Sequence, residues 1–258
     1  MFPLHPNEGI RLKALHDLEV FGSDPQPEYD AICRTAQGLF SVPIVLVSLV
    51  GETEQWFKGK CGLDAGRTPR EVSFCTYTIL SDEVLVVEDA AQDRRFAANP
   101  LVTGEPHIRF YAGAPLVLGP GIHLGSLCII DTVPRSFPAK QQEQLRDMAR
   151  VVIALLRSNR AERDARESAA DYRLLADNTK DVIIRCDLDG TRRYVSPAAS
   201  HLLGYEPQEL LGTHPLAFVH PDEVSDYARF LKRIETGLTL PLACPHSEAR
   251  VRRAADGR

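Results

Sequence analysis

No long run of one charge sign stands in this 258-residue chain: 35 acidic and 30 basic side chains are interleaved, for a net charge of -5. Such a field offers no purchase to a phosphate backbone or an anionic bilayer, so neither nucleic acid nor membrane is expected as a partner. No apolar stretch approaches the length of a membrane span, the longest running from Pro43 to Val50. The opening MFPLHPNEGIRLKAL lacks the basic segment, apolar core and small-residue cleavage site of a secretory leader, which sets a cytoplasmic expectation. Cys33, Cys61, Cys75, Cys128, Cys186 and Cys244 form no C-x-x-C pair and no Cys/His cluster at zinc spacing. No metal site is expected, and the thiols read as reduced and mostly buried. RVRR near the C-terminus alternates as a strand edge facing solvent does, and does not read as a basic patch.

What is present is apolar material, 44% of residues, enough for two domains that each bury a core. Leu12, Leu15 and Leu18 share a helical face, which FGSDPQPEYD interrupts. A second helix carries Ile32, Ala36, Leu39 and Phe40 on one face, and PIVLVSLV follows as a strand buried on both sides. QWFKGK reads as the returning strand of a hairpin, CGLDAGRTPREV as loop, SFCTYTIL as a short helix capped by Ser73, and VLVVEDA as a strand. RRFAANPLVTGEP reads as irregular, and IRFYAGAPLVL and IHLGSLCIID as a hairpin turning at GPG.

From Ala139, the residues Leu145, Met148, Val152, Leu155 and Leu156 make a helical stripe. Beyond it Arg157, Arg160, Arg163 and Arg166 recur with interleaved acids, predicting a solvated helix held by its own ion pairs. The competing reading is a connector lying against the same helix of a second copy, giving a homodimer through helices. DVIIRCDLDGTRRYVS then predicts a hairpin about Asp-Gly, HLLGYEPQELLG a short helix broken at Gly204, and FVHPDEVSDYARFLKRIETG a loop followed by an amphipathic helix. The fold class that results is α+β: two domains, each an antiparallel sheet with flanking helices, joined by a long helix.

Residues 27–157 resemble a bacterial GAF domain, through PIVLVSLV, QWFKGKCGL, SFCTYTI, VVEDAAQDRRFAANPLV, IRFYAGAPL, GSLCIIDTVPR and QQEQLRDMARVV in that order. Residues 171–258 resemble a PAS domain, through RCDLDGTRRYVSPAASHLLGYEPQELLG and FVHPDEV, with Ser196 where that family often has asparagine. The resemblance divides the chain into a helical lead-in at 1–26, the GAF-like domain, a connecting helix at 158–170 and the PAS-like domain. It implies two further strands beyond RVRRAADGR, so a chain ending at Arg258 is expected to hold this second domain less firmly than the first. It also implies a sensor module that binds a small ligand or partner and passes a conformational change to an output. In such proteins that output is a histidine kinase or an enzyme making or hydrolysing cyclic di-GMP. No phosphoacceptor motif, GGDEF or EAL stands in this sequence, so no catalytic domain and no catalytic residue is expected, and no cofactor can be named.

Candidate ligand-lining residues are Trp56, Phe57, Cys75, Ile79, Phe110, Tyr111, Gly113 and Cys128. The aromatics beside Gly113 and Ala114 leave room above a sheet, and in the resembling family the stretch around Cys75 borders the cavity. The competing function is a thiol-based small-molecule enzyme such as a free methionine sulfoxide reductase, using Cys61, Cys75 or Cys128, but no histidine stands near Cys75 to serve as its base. Asp89 and Asp93 read as a cap and a surface charge, and His214 and His220 have no partner at ligand spacing for a metal or haem.

Overall fold

The structure, a computed structural model, describes residues 2–21, 26–187, 189–219 and 221–235. His220, Cys244, the RVRR stretch and the end of the last expected helix lie outside them, as does part of the FGSDPQPEYD break. The chain separates into two compact units, Met1–Arg163 and Asp164–Arg258.

In the first unit, helices α1 (Glu8–Asp17) and α2 (Pro27–Phe40) precede strands β1 (Ile44–Val50), β2 (Glu54–Cys61) and β3 (Arg67–Pro69). The one-turn helix α3 (Cys75–Thr78), strand β4 (Leu85–Val87) and the short helix α4 (Pro100–Thr103) follow. The hairpin of β5 (Phe110–Gly119) and β6 (Ile122–Asp131) leads into α5 (Ala139–Asn178). The strands form one antiparallel sheet in the order β3-β2-β1-β6-β5-β4, so the two most apolar strands, β1 and β6, lie at its centre. Their close pairing needs Gly125, where a Cβ would fall 1.9 Å from the Ser48 carbonyl oxygen. Alternation then sends Val45, Val47 and Leu49 to the core beneath α1, α2 and α5, and Ile44, Leu46 and Val50 to a second core on the other face.

Three local expectations are corrected. Residues 67–69, read as loop, pair with β2, because β2 would otherwise leave its outer hydrogen-bonding edge open. The Asn99-Pro100 step, read as a breaker, opens α4: the Asn99 side chain accepts from the Leu101 N–H at 2.9 Å and Pro100 takes the first turn, where its missing N–H costs nothing. On α2 the buried residues are Tyr29, Cys33, Ala36 and Phe40, while Leu39 is half exposed, since the stripe set by Tyr29 passes Leu39 by.

The lead-in helix is part of this unit. Arg11 and Arg70 are fully buried and meet at Glu8, whose carboxylate accepts from Arg11 Nη2 at 2.5 Å and Arg70 Nη1 at 2.6 Å. Arg11 Nη1 also donates to the Val50 carbonyl, pinning α1 to the end of β1. Burial works against ionisation of Glu8, but the hydrogen bonds from Arg70 and Arg11 outweigh it and hold the carboxyl at about 2. The start of the arginine-rich part of α5 docks on this unit too. Arg160 and Arg163 each reach Glu19 at 3.1 Å, Arg157 donates to the Leu118 carbonyl, and Asn159 donates to the Tyr29 hydroxyl at 3.2 Å. These side chains reach other elements because one side of α5 still faces the core as far as Leu156 and the arginines continue that side.

In the second unit, β7 (Ile184–Cys186) and β8 (Arg192–Val195) form the expected hairpin, with Gly190 at φ 87° in the turn. Helices α6 (Ala198–Leu202) and α7 (Pro207–Leu210) follow, then two single 3-10 turns at 215–217 and 221–223, and α8 (Val224–Glu235). The core among the described residues is small: Val195, Ala199 and Leu210, with Leu203, Tyr205 and Phe218 packed against it. Ser196 makes the turn contacts of its position, accepting from the Ile183 N–H at 2.9 Å and donating to the Asp181 carbonyl at 3.3 Å.

Candidate ligand-binding site

The face of the first sheet turned away from α1, α2 and α5 carries a cavity of about 300 Å³. Its floor is the inward-facing alternation of the central strands: Ile44 and Leu46 of β1, Phe57 of β2, Cys128 and Ile130 of β6, and Tyr111 of β5. Its walls are Leu63, Phe74, Cys75, Leu101 and Ile108 from the segments that cross this face. Exposed Ala65 and Glu105 belong to the lining, so the cavity reaches the surface between them. Phe74 is held upright by stacking on Phe96 at 4.0 Å and 11°.

Polar groups enter this apolar space at two places. At one, Gln55 Oε1 accepts from Ser48 Oγ at 3.0 Å and Ser73 Oγ at 2.5 Å, while Gln55 Nε2 donates to Thr68 Oγ1 at 2.7 Å. At the other, the Tyr111 hydroxyl lies 2.7 Å from Thr78 Oγ1, 3.4 Å from Ser126 Oγ and 3.5 Å from Cys75 Sγ. Gly113 makes room for it: a Cβ there would sit 2.3 Å from the Tyr111 oxygen. Cys75 Sγ and Cys128 Sγ are 3.8 Å apart. Hydrogen bonding from Cys128, helped by Ser126, Tyr111 and Ser48, pushes the Cys75 thiol below its ordinary value against the opposing effect of burial. The same contact with Cys75, together with burial, pushes Cys128 up, and burial followed by the charge at Cys75 raises Tyr111.

Of the candidate residues, the structure brings Phe57, Cys75, Tyr111 and Cys128 into the cavity lining. Ile79 and Gly113 lie on the same face of the sheet but behind that lining. Trp56 and Phe110 do not belong: each neighbours a lining residue in sequence, so the period of two turns it into the opposite core, Trp56 against Phe21 and Phe110 against Phe137. Ile44, Leu46, Leu63, Phe74, Leu101, Ile108 and Ile130 are apolar lining residues that are not among the candidates. The alternation of PIVLVSLV and SLCIID holds the signal for the strand residues, whereas the wall residues sit on irregular segments or one-turn helices too short to show a period. Asp89 accepts from the Ala91 N–H and Asp93 pairs with Arg95, as a cap and a surface charge do. His214 accepts from the Leu216 N–H at 3.3 Å, capping a 3-10 turn. No group of metal-ligating side chains occurs among the described residues. A larger groove of about 460 Å³ beside α5 is lined by residues that include Arg146, Arg150 and Arg157. Glu83, Asp147 and the Leu118 carbonyl already engage these three cations.

The GAF domain family model matches residues 24–156, just over half the chain, and covers every lining residue of the cavity. The chain belongs to the GAF family. A PAS fold matches residues 170–238, so the GAF domain is followed by a second sensory domain. The chain is similar to a cyclic di-GMP phosphodiesterase of Pseudomonas aeruginosa, at 39% identity over 189 residues, 73% of this chain and 32% of that protein. The chain thus spans about a third of the length of that relative. A blue light receptor of Aspergillus flavus is 36% identical over 64 residues, 25% of this chain and 8% of the receptor. Among solved structures, the GAF domain of an Acinetobacter phosphoenolpyruvate-protein phosphotransferase is 16% identical, covering 61% of this chain and 97% of its own, at a TM-score of 0.46. Among the described residues, no helix is long and apolar enough to cross a membrane.

Proposed function

We propose that this protein is a cytoplasmic signalling sensor whose GAF cavity takes a compact, largely apolar small molecule and whose state is passed along α5 toward an output activity. One observation carries this reading: a cavity of about 300 Å³ that opens at Ala65 and Glu105 and is otherwise walled by apolar side chains over two fixed polar clusters. A volume of that size suits one small ligand, with hydrogen-bonding groups few enough to orient it. The output we propose is cyclic di-GMP turnover, supported by the 39% identity over 189 residues to a cyclic di-GMP phosphodiesterase. The pairing of copies we propose runs through α5, where Tyr172, Leu174 and Leu175 are exposed apolar side chains on an otherwise charged stretch. Within this reading the chain's own residues bind and transmit, and catalysis belongs to the output.

The test is thermal unfolding with a probe of suitable size, cumyl alcohol. At 100 times its dissociation constant a ligand that binds only the folded state adds about 2.7 kcal/mol. A rise in Tm is expected for the native chain and not for Leu63→Trp, which fills the cavity from its wall. Equal rises in both, or none in either across a panel of similar small apolar compounds, would overturn the reading.

A further inference from the structure

Cys75 and Cys128 lie 53 positions apart in the chain, yet α3 and β6 bring their sulfurs to 3.8 Å. Both are buried and both line the cavity. A sulfur–sulfur bond is about 2.0 Å long, so closing it asks each sulfur to move by about 1 Å, a side-chain adjustment with no strand displaced. The surroundings of the two thiols differ. The Tyr111 hydroxyl reaches Cys75 Sγ at 3.5 Å and is itself held by Thr78 and Ser126. Cys128 sits on the central strand opposite Gly113, with the Cys75 thiol as its hydrogen-bonding neighbour. One sulfur is therefore surrounded by donors that stabilise a thiolate, and the other is placed to attack whatever forms on the first.

We infer that Cys75 and Cys128 form a redox-active dithiol that reduces an organic hydroperoxide entering the GAF cavity and closes to a disulfide. This inference rests on the reading of the cavity as a small-molecule site. In the first step the Cys75 sulfur attacks the terminal oxygen of the hydroperoxide; a sulfur–oxygen bond forms, the oxygen–oxygen bond breaks, and the alkoxide leaves as the alcohol with the proton lost by Cys75. In the second, the Cys128 sulfur attacks the Cys75 sulfenic acid; the sulfur–sulfur bond forms and the hydroxyl leaves as water with the Cys128 proton. Two thiols and one hydroperoxide become one disulfide, one alcohol and one water. The apolar lining selects the oxidant, since Leu46, Phe57, Leu101 and Ile130 gain contact with a hydrocarbon group that hydrogen peroxide lacks. A disulfide across α3 and β6 also ties the cavity wall to its floor, so oxidation alters the ligand site itself.

The intact reduced chain is treated with cumene hydroperoxide, unfolded, and its thiols counted and mapped by mass spectrometry. Two of the six thiols should be lost, as a Cys75–Cys128 disulfide that dithiothreitol reverses. Reaction with cumene hydroperoxide should be faster than with hydrogen peroxide by about tenfold or more. In Cys128→Ser, dimedone should capture a sulfenic acid at Cys75. In Cys75→Ser, Cys128 should stay reduced, and the native peptide map decides the pairing even if either variant folds poorly. Six surviving thiols, a different pairing, or equal rates with both peroxides would overturn the inference. Cumyl alcohol separates this from the parent reading: a thermal shift without a disulfide sinks the dithiol and leaves the ligand site standing, whereas neither effect removes both.

Discussion

At the scale of single residues the molecule is governed by a few groups that fit only one way. Glu8 is the clearest, a carboxylate shared by two buried guanidiniums. Replacing it with glutamine leaves Arg11 and Arg70 buried without their counter-charge, and the expected loss is about 3 kcal/mol by urea denaturation. The same group sets a pH dependence. Its folded value, about 2, lies below its ordinary value of 4.5, so its contribution is complete above about 4.5 and fades as pH falls through the folded value. Urea midpoints measured from pH 5 to 2 should fall for the native chain, and Glu8→Gln should lose the part of that slope this carboxylate supplies. Gly113 is a second such position. A methyl group there meets the Tyr111 hydroxyl and Thr78, so Gly113→Ala should cost about 1–3 kcal/mol of stability, and by moving that hydroxyl it should also slow the oxidation of Cys75.

Elements tell how much of this was legible beforehand. β1 is readable from its β-branched run, and β5 and β6 from two apolar runs separated by a glycine turn. β3 and α4 were not readable, since β3 exists only because β2 presents an unpaired edge and α4 only because Asn99 caps it. The candidate site shows the same division. Phe57, Tyr111 and Cys128 fell to the cavity side, but Trp56 and Phe110, chosen for their aromatic rings, lie on the other face. A composition argument selects both neighbours of such a pair, and only the strand period separates them. For α5, Arg160 and Arg163 meeting Glu19 are partly exposed ion pairs. Glu19→Ala should therefore cost less than about 1 kcal/mol in a denaturation curve, far less than Glu8→Gln; an equal cost would show that these arginines anchor the helix.

For the whole molecule, the contrast between the two units is one of core size. The first buries two apolar layers on either side of a six-stranded sheet, whereas the described core of the second rests on Val195, Ala199 and Leu210. Limited proteolysis should cut within residues 164–258 well before the GAF domain, and equal resistance of both would contradict that ranking. Occupancy of the GAF cavity should be felt along α5. Hydrogen–deuterium exchange of the intact chain, with and without saturating cumyl alcohol, tests it most directly. Exchange should slow at 63–75 and 101–111, where the ligand would be held, and should change in α5 between 157 and 178. Protection at the cavity with α5 unchanged would contradict it.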